Sequence, residues 1–234
     1  MNEKFDDTVH CIYLHGFASS PQSSKASFFA KKLQDLGQSV DVPDLNGPDF
    51  ENMTLSSQLQ ILDSCLNRVP KEKPVVLFGS SMGGLIATLN VQTSPQVKAI
   101  VLFAPGFGLG NRLDGLVGAA NYKTWAQDGH TTVFHYAFNC EKKLSYEFAI
   151  DAQKYETANL RIKVPALVFH GSNDEVVPVS ASKTFHKLNP DFVELHVLDS
   201  DHQLVEPLSE MWDLTTLFLI KHGFVSGKSQ PGAR

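Results

Sequence analysis

Short apolar runs alternate with amphipathic stretches along most of this 234-residue chain. Runs of about four to eight apolar residues have the length of a buried strand, whereas apolar residues at every third or fourth position indicate a helix with one buried face. Strands that alternate with helices pair in parallel, because each helix carries the chain back to the start of the next strand. The pattern therefore predicts an α/β fold with a mainly parallel sheet. The predicted strands are 9–14, 40–43, 75–78, 97–103, 166–170 and 193–198, and the predicted helices are 24–36, 54–70, 82–91, 180–188 and 204–221.

The segment from Pro105 to about Leu160 interrupts this alternation. It is far longer than the roughly 2–6 residues usual between a strand and the next helix, which predicts an inserted, lid-like subdomain at about 105–160 with helix of its own. Its aromatic side chains either line an apolar pocket or pack the insert onto the sheet, and the sequence leaves both interpretations open. These aromatic residues are Phe107, Tyr122, Trp125, Phe134, Tyr136, Phe138, Tyr146 and Phe148.

The length allows one large domain or two small ones, since domains commonly have about 100–200 residues. The strand and helix pattern continues on both sides of the insert, so we predict a single domain over 1–225. The small and polar residues at 226–234 predict a disordered tail.

The charge balance argues against one large class of partner. The chain has 20 Lys and Arg residues against 25 Asp and Glu residues, which gives a formal net charge of −5. No basic surplus is available to hold a phosphate backbone, so nucleic acid is not expected as a partner. No apolar run approaches the roughly 20 residues that span a bilayer, so a membrane is not expected as a partner either.

The cysteines and the first residues indicate a compartment. Cys11, Cys65 and Cys140 are odd in number and have no CxxC spacing, which fits a reducing environment and argues against a disulfide framework or a zinc site. The acidic and polar residues at 1–7 are unlike a secretory signal or a transit peptide. A cytoplasmic location is therefore expected.

A glycine-rich turn connects the fully apolar run at 75–78 to a predicted helix. It reads Gly79-Ser80-Ser81-Met82-Gly83, a Gly-x-Ser-x-Gly pattern. Between a strand and a helix this pattern is typical of a nucleophile elbow, in which glycines let the strand and the helix pass close to a strained serine. The sequence predicts that Ser81 is a nucleophile. The alternative is a plain turn in which Ser80 or Ser81 caps the helix.

A serine hydroxyl needs a base to take its proton and a third group to orient that base. Asp174 and His202 directly follow two consecutive predicted strands. Because parallel strands end at one edge of a sheet, both side chains would lie at the same edge as Ser81. We therefore predict His202 as the base and Asp174 as the orienting acid, with Glu175 as the alternative carboxylate.

Acyl transfer also needs N–H groups aimed at the developing oxyanion. One is expected from Met82, the residue after the serine, and the other from Phe17, in the loop after the first strand. His15 ends that strand and is expected to brace the loop by hydrogen bonds rather than to act as a base. The sequence has no convincing metal-ligand spacing and no phosphate-binding glycine motif, so neither a metal nor a nucleotide cofactor is expected.

Four sequence blocks resemble those of the α/β-hydrolase superfamily, in the same order along the chain. The start of the chain is also similar to that of the small bacterial YqiA-like esterases. The resemblance implies a three-layer α/β-hydrolase fold with a shortened, mainly parallel sheet of about six or seven strands and a helical lid insert after the strand at 97–103. It also implies the same roles for Ser81, Asp174 and His202. The four blocks are Leu14-His15-Gly16-Phe17, Gly79-Ser80-Ser81-Met82-Gly83, His170-Gly171-Ser172-Asn173-Asp174 with Val177-Pro178, and Asp201-His202. The YqiA-like similarity rests on His15-Gly16-Phe17, Ser19-Ser20-Pro21, Ser23 and Lys25-Ala26.

Together these features predict a serine hydrolase that cleaves carboxylic esters or thioesters of small acyl groups, with a small-molecule substrate and no cofactor. The same residues could serve an acyl-peptide hydrolase or an acyltransferase. A ligand receptor that keeps the fold without turnover is the alternative from a different class. The sequence identifies neither the acyl group nor the oligomeric state.

Overall fold

Strands and helices alternate along the part of the chain that the computed structural model describes, residues 9–155 and 159–226. Each strand and helix predicted outside the insert is present. The strands are β1 (His10–Leu14), β2 (Ser39–Asp41), β3 (Val75–Ser80), β4 (Val97–Phe103), β5 (His130–His135), β6 (Cys140–Ser145), β7 (Ala166–Gly171) and β8 (Val193–Leu198). The helices are α1 (Ser24–Asp35), α2 (Leu55–Leu66), α3 (Met82–Asn90), α4 (Leu113–Val117), α5 (Ala119–Asp128), α6 (Glu147–Ala152), α7 (Val179–Leu188) and α8 (Leu208–Lys221).

The central sheet has the strand order β2-β1-β3-β4-β7-β8, and every neighbouring pair is parallel. Helices α1 and α8 cover one face, where Phe29 and Met211 are fully buried, and α2, α3 and α7 cover the other, where Leu62 and Leu85 are fully buried. These are the three predicted layers, with six strands in the described sheet. The connections after β1 and β3 run in opposite directions, so a crevice is left between them at the carboxyl edge.

β3 lies between β1 and β4 in the middle of this sheet. The side chains of Val75 and Leu77 belong to the core cluster on the α2 and α3 side, whereas those of Val76 and Phe78 belong to the cluster on the other side. All four are fully buried, and burial of each stabilises the fold by about 1.5–3 kcal/mol. The turn that follows β3 is therefore attached to a rigid part of the molecule.

A capping box sets the start of α2, and backbone geometry sets the start of α8. The Thr54 hydroxyl accepts from the Ser57 N–H at 3.0 Å, and the Ser57 hydroxyl accepts from the Thr54 N–H at 2.9 Å, so α2 begins where predicted. Helix α8 begins at Leu208, four residues later than the predicted 204. Leu204 has a φ of 50°, which no residue inside a right-handed helix adopts.

The insert at 105–160 contains more than helices. A 3₁₀ turn at Leu109–Asn111, the helices α4, α5 and α6, and an antiparallel hairpin of β5 and β6 form it. The predicted helical insert is therefore incomplete. The hairpin was missed because the alternating exposed and buried residues of β5 are mostly His and Thr, which carry little apolar signal.

Hydrogen bonds to the region around the start of α2 and to the loop after β1 help to fasten the insert to the rest of the protein. The carboxylate of Asp151 accepts from the Ser56 N–H at 2.8 Å and from the Ser56 hydroxyl at 2.7 Å, which also caps α2. The backbone N–H of Ser145 donates to the Glu51 carbonyl at 2.8 Å, and that of Tyr136 donates to the Ala18 carbonyl at 2.9 Å. The insert thus contacts both the start of α2 and the loop after β1.

None of the described helices is both long and apolar enough to cross a membrane. The tail predicted at 226–234 lies outside the described residues except for Ser226.

Candidate active site

Ser81 lies in the turn between β3 and α3 with a strained backbone. Its φ of 52° and ψ of −115° lie in a region that residues other than glycine seldom adopt, at a cost of about 1–3 kcal/mol. Hydrogen bonds hold this conformation, because the Ser81 N–H donates to the Phe103 carbonyl at 2.8 Å and the Ser81 carbonyl accepts from the Gly84 and Gly106 N–H groups. The serine side chain is consequently fixed at the carboxyl edge of the sheet.

The two glycines of the Gly-x-Ser-x-Gly pattern are required by close backbone contacts. A Cβ atom on Gly79 would lie 2.5 Å from the Gly83 carbonyl oxygen. A Cβ atom on Gly83 would lie 2.2 Å from the carbonyl oxygen of Leu14, in β1. Helix α3 therefore passes directly against the backbone of two strands, as the nucleophile-elbow interpretation of the turn requires.

The structure brings Ser81, His202 and Asp174 into one line of hydrogen bonds. Nδ1 of His202 lies 2.7 Å from Oδ2 of Asp174, and Nε2 of His202 lies 3.1 Å from Oγ of Ser81. With its proton on Nδ1, a neutral His202 donates to the carboxylate and accepts from the serine hydroxyl. The three residues come from loops after β3, β7 and β8, as their positions in the sequence predicted.

The carboxylate of Asp174 is fully buried and fully hydrogen-bonded. Oδ1 accepts from the N–H groups of Val176 and Val177 at 2.9 and 2.8 Å. Burial by itself raises the pKa of this carboxyl, but hydrogen bonds from His170, His202 and Val177 outweigh it and hold the pKa far below its ordinary value. The neighbouring Glu175 is exposed and makes no such contacts among the described residues.

His170 is a further part of this arrangement that the sequence reasoning did not single out. Its fully buried Nε2 lies 3.2 Å from Oδ2 of Asp174 and 2.9 Å from the Val177 carbonyl, so this nitrogen carries a proton. Its Nδ1 lies 2.7 Å from the hydroxyl of Ser182 in α7. A polar residue within an otherwise apolar strand end is the signal that could have identified it.

Phe17, in the loop after β1, and Met82, the first residue of α3, line the same cleft as Ser81 and carry the two backbone N–H groups predicted for the oxyanion. Within the described residues neither group has a protein acceptor. A Cβ on Gly16 would lie only 3.4 Å from the Ser81 Cβ, so this loop passes directly beside the serine.

His15 holds that loop. Its Nδ1 donates to the Gly16 carbonyl at 2.8 Å, and its Nε2 accepts from the Leu45 N–H at 2.9 Å. Both ring nitrogens are thus engaged with backbone groups, and the ring is almost fully buried. His15 therefore braces the loop that carries Phe17, as predicted.

The cleft beside Ser81 has a volume of about 40 Å³. The insert contributes Leu109 and Leu116 to its wall, and none of the eight aromatic residues of the insert lines it. The aromatic-pocket interpretation is therefore wrong. Phe107, Trp125 and Phe148 are instead buried in the core, whereas Tyr122, Phe134, Tyr136 and Phe138 are exposed. The lining residues are Phe17, Ser81, Met82, Gly106, Leu109, Arg112, Gly115, Leu116, Val176 and Val177.

A lysine lies on the α1 side of the site. The ammonium group of Lys25 is 5.7 Å from the centre of the Phe103 ring. Burial lowers the pKa of Lys25 to about 8, although the negative charges of Asp201 and Asp174 oppose this shift. Lys25 is one of the residues on which the YqiA-like similarity rests.

Metal ligands are not grouped in the described parts of the chain: no three His, Cys, Asp or Glu side chains lie together in a way that could hold an ion.

The strand order and the strained serine turn after β3 define an α/β-hydrolase fold, and solved structures share it. Est1E from Butyrivibrio proteoclasticus, with ferulic acid bound, superposes with a TM-score of 0.78 at 20% identity, covering 95% of this chain and 92% of that one. Alpha/beta hydrolase domain-containing protein 10 from mouse gives 0.73 at 20% identity, covering 89% of each chain. A monoacylglycerol lipase from Paleococcus ferrophilus gives 0.67 at 16% identity, covering 91% of this chain and 94% of that one.

The chain belongs to the uncharacterised protein family UPF0227, whose sequence profile matches residues 10–219. This agrees with the YqiA-like similarity of its first residues. A search of curated protein sequences gives no match.

Proposed function

We propose that this protein is a serine hydrolase that cleaves carboxylic esters or thioesters of small acyl groups through an acyl-enzyme on Ser81. The observation that carries the proposal is the hydrogen-bonded line from Ser81 through His202 to the buried Asp174. It ends at a mainly apolar cleft, and we propose short acyl chains as the groups that this cleft takes.

In the first half of the reaction, Nε2 of His202 takes the hydroxyl proton of Ser81 as Oγ bonds to the acyl carbon. The carbonyl oxygen becomes an oxyanion, which the N–H groups of Phe17 and Met82 stabilise. Asp174 remains ionised and stabilises the imidazolium of His202. The oxyanion then collapses, the bond to the alcohol or thiol oxygen or sulfur breaks, and His202 returns its proton to that leaving group.

In the second half, His202 takes a proton from water, and the resulting hydroxide attacks the acyl carbon on Ser81. The same two N–H groups stabilise the second oxyanion. When it collapses, the bond to Oγ breaks, the carboxylic acid leaves and the serine hydroxyl recovers its proton from His202. The net change is addition of one water across the ester, and no cofactor is needed.

A fluorophosphonate probe and a series of p-nitrophenyl esters test the proposal. We expect the probe to attach to Ser81, located by mass spectrometry, and we expect kcat/KM to be higher for the acetate and butyrate than for the octanoate. Labelling without repeated turnover would favour a ligand receptor. Release of the acyl group only to an added alcohol would favour an acyltransferase, and absence of labelling would contradict the proposal.

Replacing the orienting carboxylate should slow the reaction strongly. We expect Asp174→Asn to lower kcat about 10³- to 10⁴-fold, because the amide cannot stabilise the imidazolium of His202 and favours the wrong tautomer of its ring. Initial rates with p-nitrophenyl acetate measure this effect. The matched control is the exposed Glu175→Gln, which should stay within about threefold of the wild type. If Glu175→Gln shows the larger loss, the carboxylate has been assigned to the wrong residue.

A further inference from the structure

Arg112 lies in the wall of the cleft beside Ser81, at the start of α4. Among the described residues that line this cleft it is the one with a charged side chain, and the others are apolar, apart from Ser81 and two glycines. Arg112 is partly buried, and a charge held against apolar side chains without a counter-charge in contact costs free energy. The presence of this charged side chain in the cleft wall therefore calls for a functional explanation.

Two backbone carbonyls hold the guanidinium in place. Nη1 of Arg112 donates to the Val176 carbonyl at 2.8 Å, and Nη2 donates to the Phe107 carbonyl at 2.6 Å. The first carbonyl belongs to the loop that carries Asp174, and the second to the start of the insert. The planar group thus has a fixed position across the cleft.

These contacts use only part of the hydrogen-bonding capacity of the guanidinium. An arginine side chain has five N–H donors, and the two carbonyls use two of them. Neither carbonyl carries a net charge, and over residues 9–155 and 159–226 no carboxylate lies within 4.0 Å of Arg112. Burial lowers the pKa of Arg112, with Asp174 and Asp114 opposing the shift. The guanidinium of Arg112 therefore keeps its positive charge and has N–H donors that can bind a ligand.

We propose that Arg112 binds an anionic oxygen group of the substrate, a carboxylate or a phosphate, while the scissile acyl group lies against Ser81. The planar fork of an arginine matches two oxygens of such a group, and its fixed position reduces the ordering that binding would otherwise require. The substrate class is then a small ester or thioester with a negative charge a few bonds from the scissile carbonyl. This inference rests on the proposed esterase function.

Paired esters test the proposal, with hydrolysis followed by titration of the released acid. Monoethyl succinate and ethyl butyrate differ by a charge on the acyl side, and 2-acetoxyethyl phosphate and butyl acetate differ by a charge on the alcohol side. We expect kcat/KM for the charged member of at least one pair to exceed that of its neutral partner about tenfold or more. The pair that shows the preference identifies the side on which the anion lies.

Three variants separate charge from hydrogen bonding. Arg112→Gln should reduce the charged-to-neutral ratio to near one, mainly through KM, whereas Arg112→Lys should retain part of it. The control Arg68→Gln removes an exposed arginine of the segment after α2 and should leave the ratio unchanged. A ratio near one in the wild type overturns the proposal. An equal loss for both members of each pair in Arg112→Gln also overturns it, since Arg112 would then only hold the loop.

Binding to an inactive protein keeps this test separate from the question of turnover. Calorimetric titration of Ser81→Ala with monoethyl succinate, and separately with 2-acetoxyethyl phosphate, should show binding of one of them that Arg112→Gln in the same background abolishes. If the ligand binds but the wild type hydrolyses no ester, the anion site is supported and the esterase function is rejected. If the wild type hydrolyses esters but neither preference nor binding depends on Arg112, the esterase function is supported and the anion site is rejected.

Discussion

Ser81→Ala is expected to lower kcat for p-nitrophenyl acetate about 10⁵-fold or more. The reason is chemical, because alanine has no group that can form the acyl-enzyme, and His202 would have no proton to accept. The backbone should tolerate the change, because serine and alanine both carry a Cβ atom at this φ of 52°. Circular dichroism and a melting curve should accompany the rate measurement.

The matched control for this variant is Ser80→Ala. Ser80 precedes the nucleophile and ends β3, and the mutation removes the same atom from a neighbouring position. Its activity should stay within about threefold of the wild type, and fluorophosphonate labelling should persist in Ser80→Ala and disappear in Ser81→Ala. A folded Ser81→Ala protein that retains full esterase activity would show that the proposed mechanism is wrong.

Gly83→Ala should destabilise the protein by at least about 3 kcal/mol or prevent it from folding. Inside a helix, alanine is normally about 1 kcal/mol more favourable than glycine, so the expected sign is the opposite of the usual one. The cause is the Leu14 carbonyl oxygen, which would lie 2.2 Å from the new Cβ. That atom belongs to β1 and cannot move without distorting the sheet. A thermal melt should show a fall in Tm of about 10 °C, by the usual scaling for a chain of this size.

Gly115→Ala is the control for the glycine prediction. Gly115 lies in α4, its φ is not positive, and a Cβ built on it meets no heavy atom within 4 Å. The substitution should leave Tm unchanged or raise it by a few degrees, since it reduces the freedom of the unfolded chain. Equal Tm values for Gly83→Ala and wild type would contradict the prediction, because they would mean that α3 can move away from β1 at little cost.

The order of the elements and the location of the site could be predicted because both follow from local patterns. Apolar runs define the strands, and parallel pairing brings the residues after β3, β7 and β8 to one edge. This places Ser81, Asp174 and His202 together without any knowledge of distances. The choice between Asp174 and Glu175 needed the structure, because it depends on which side chain turns inward to meet the N–H groups of Val176 and Val177.

Other features could not be predicted, since they depend on contacts between distant parts of the chain. His170 is recognisable only when its neighbours Asp174 and Ser182 are seen around its ring. Nothing in the sequence around Arg112 indicates that it crosses the cleft to Val176. The hairpin of the insert was missed for a different reason, because its first strand relies on backbone pairing rather than on a run of apolar side chains.

The position of His202 after β8 has a consequence for protein synthesis. Domains generally fold as units, and Asp174 and His202 follow β7 and β8, the last two strands of the sheet. The Phe17 loop and Ser81 are therefore translated before either of these partners. A growing chain then holds a serine without its base, and it stays chemically inert toward esters until β8 has emerged and paired with β7.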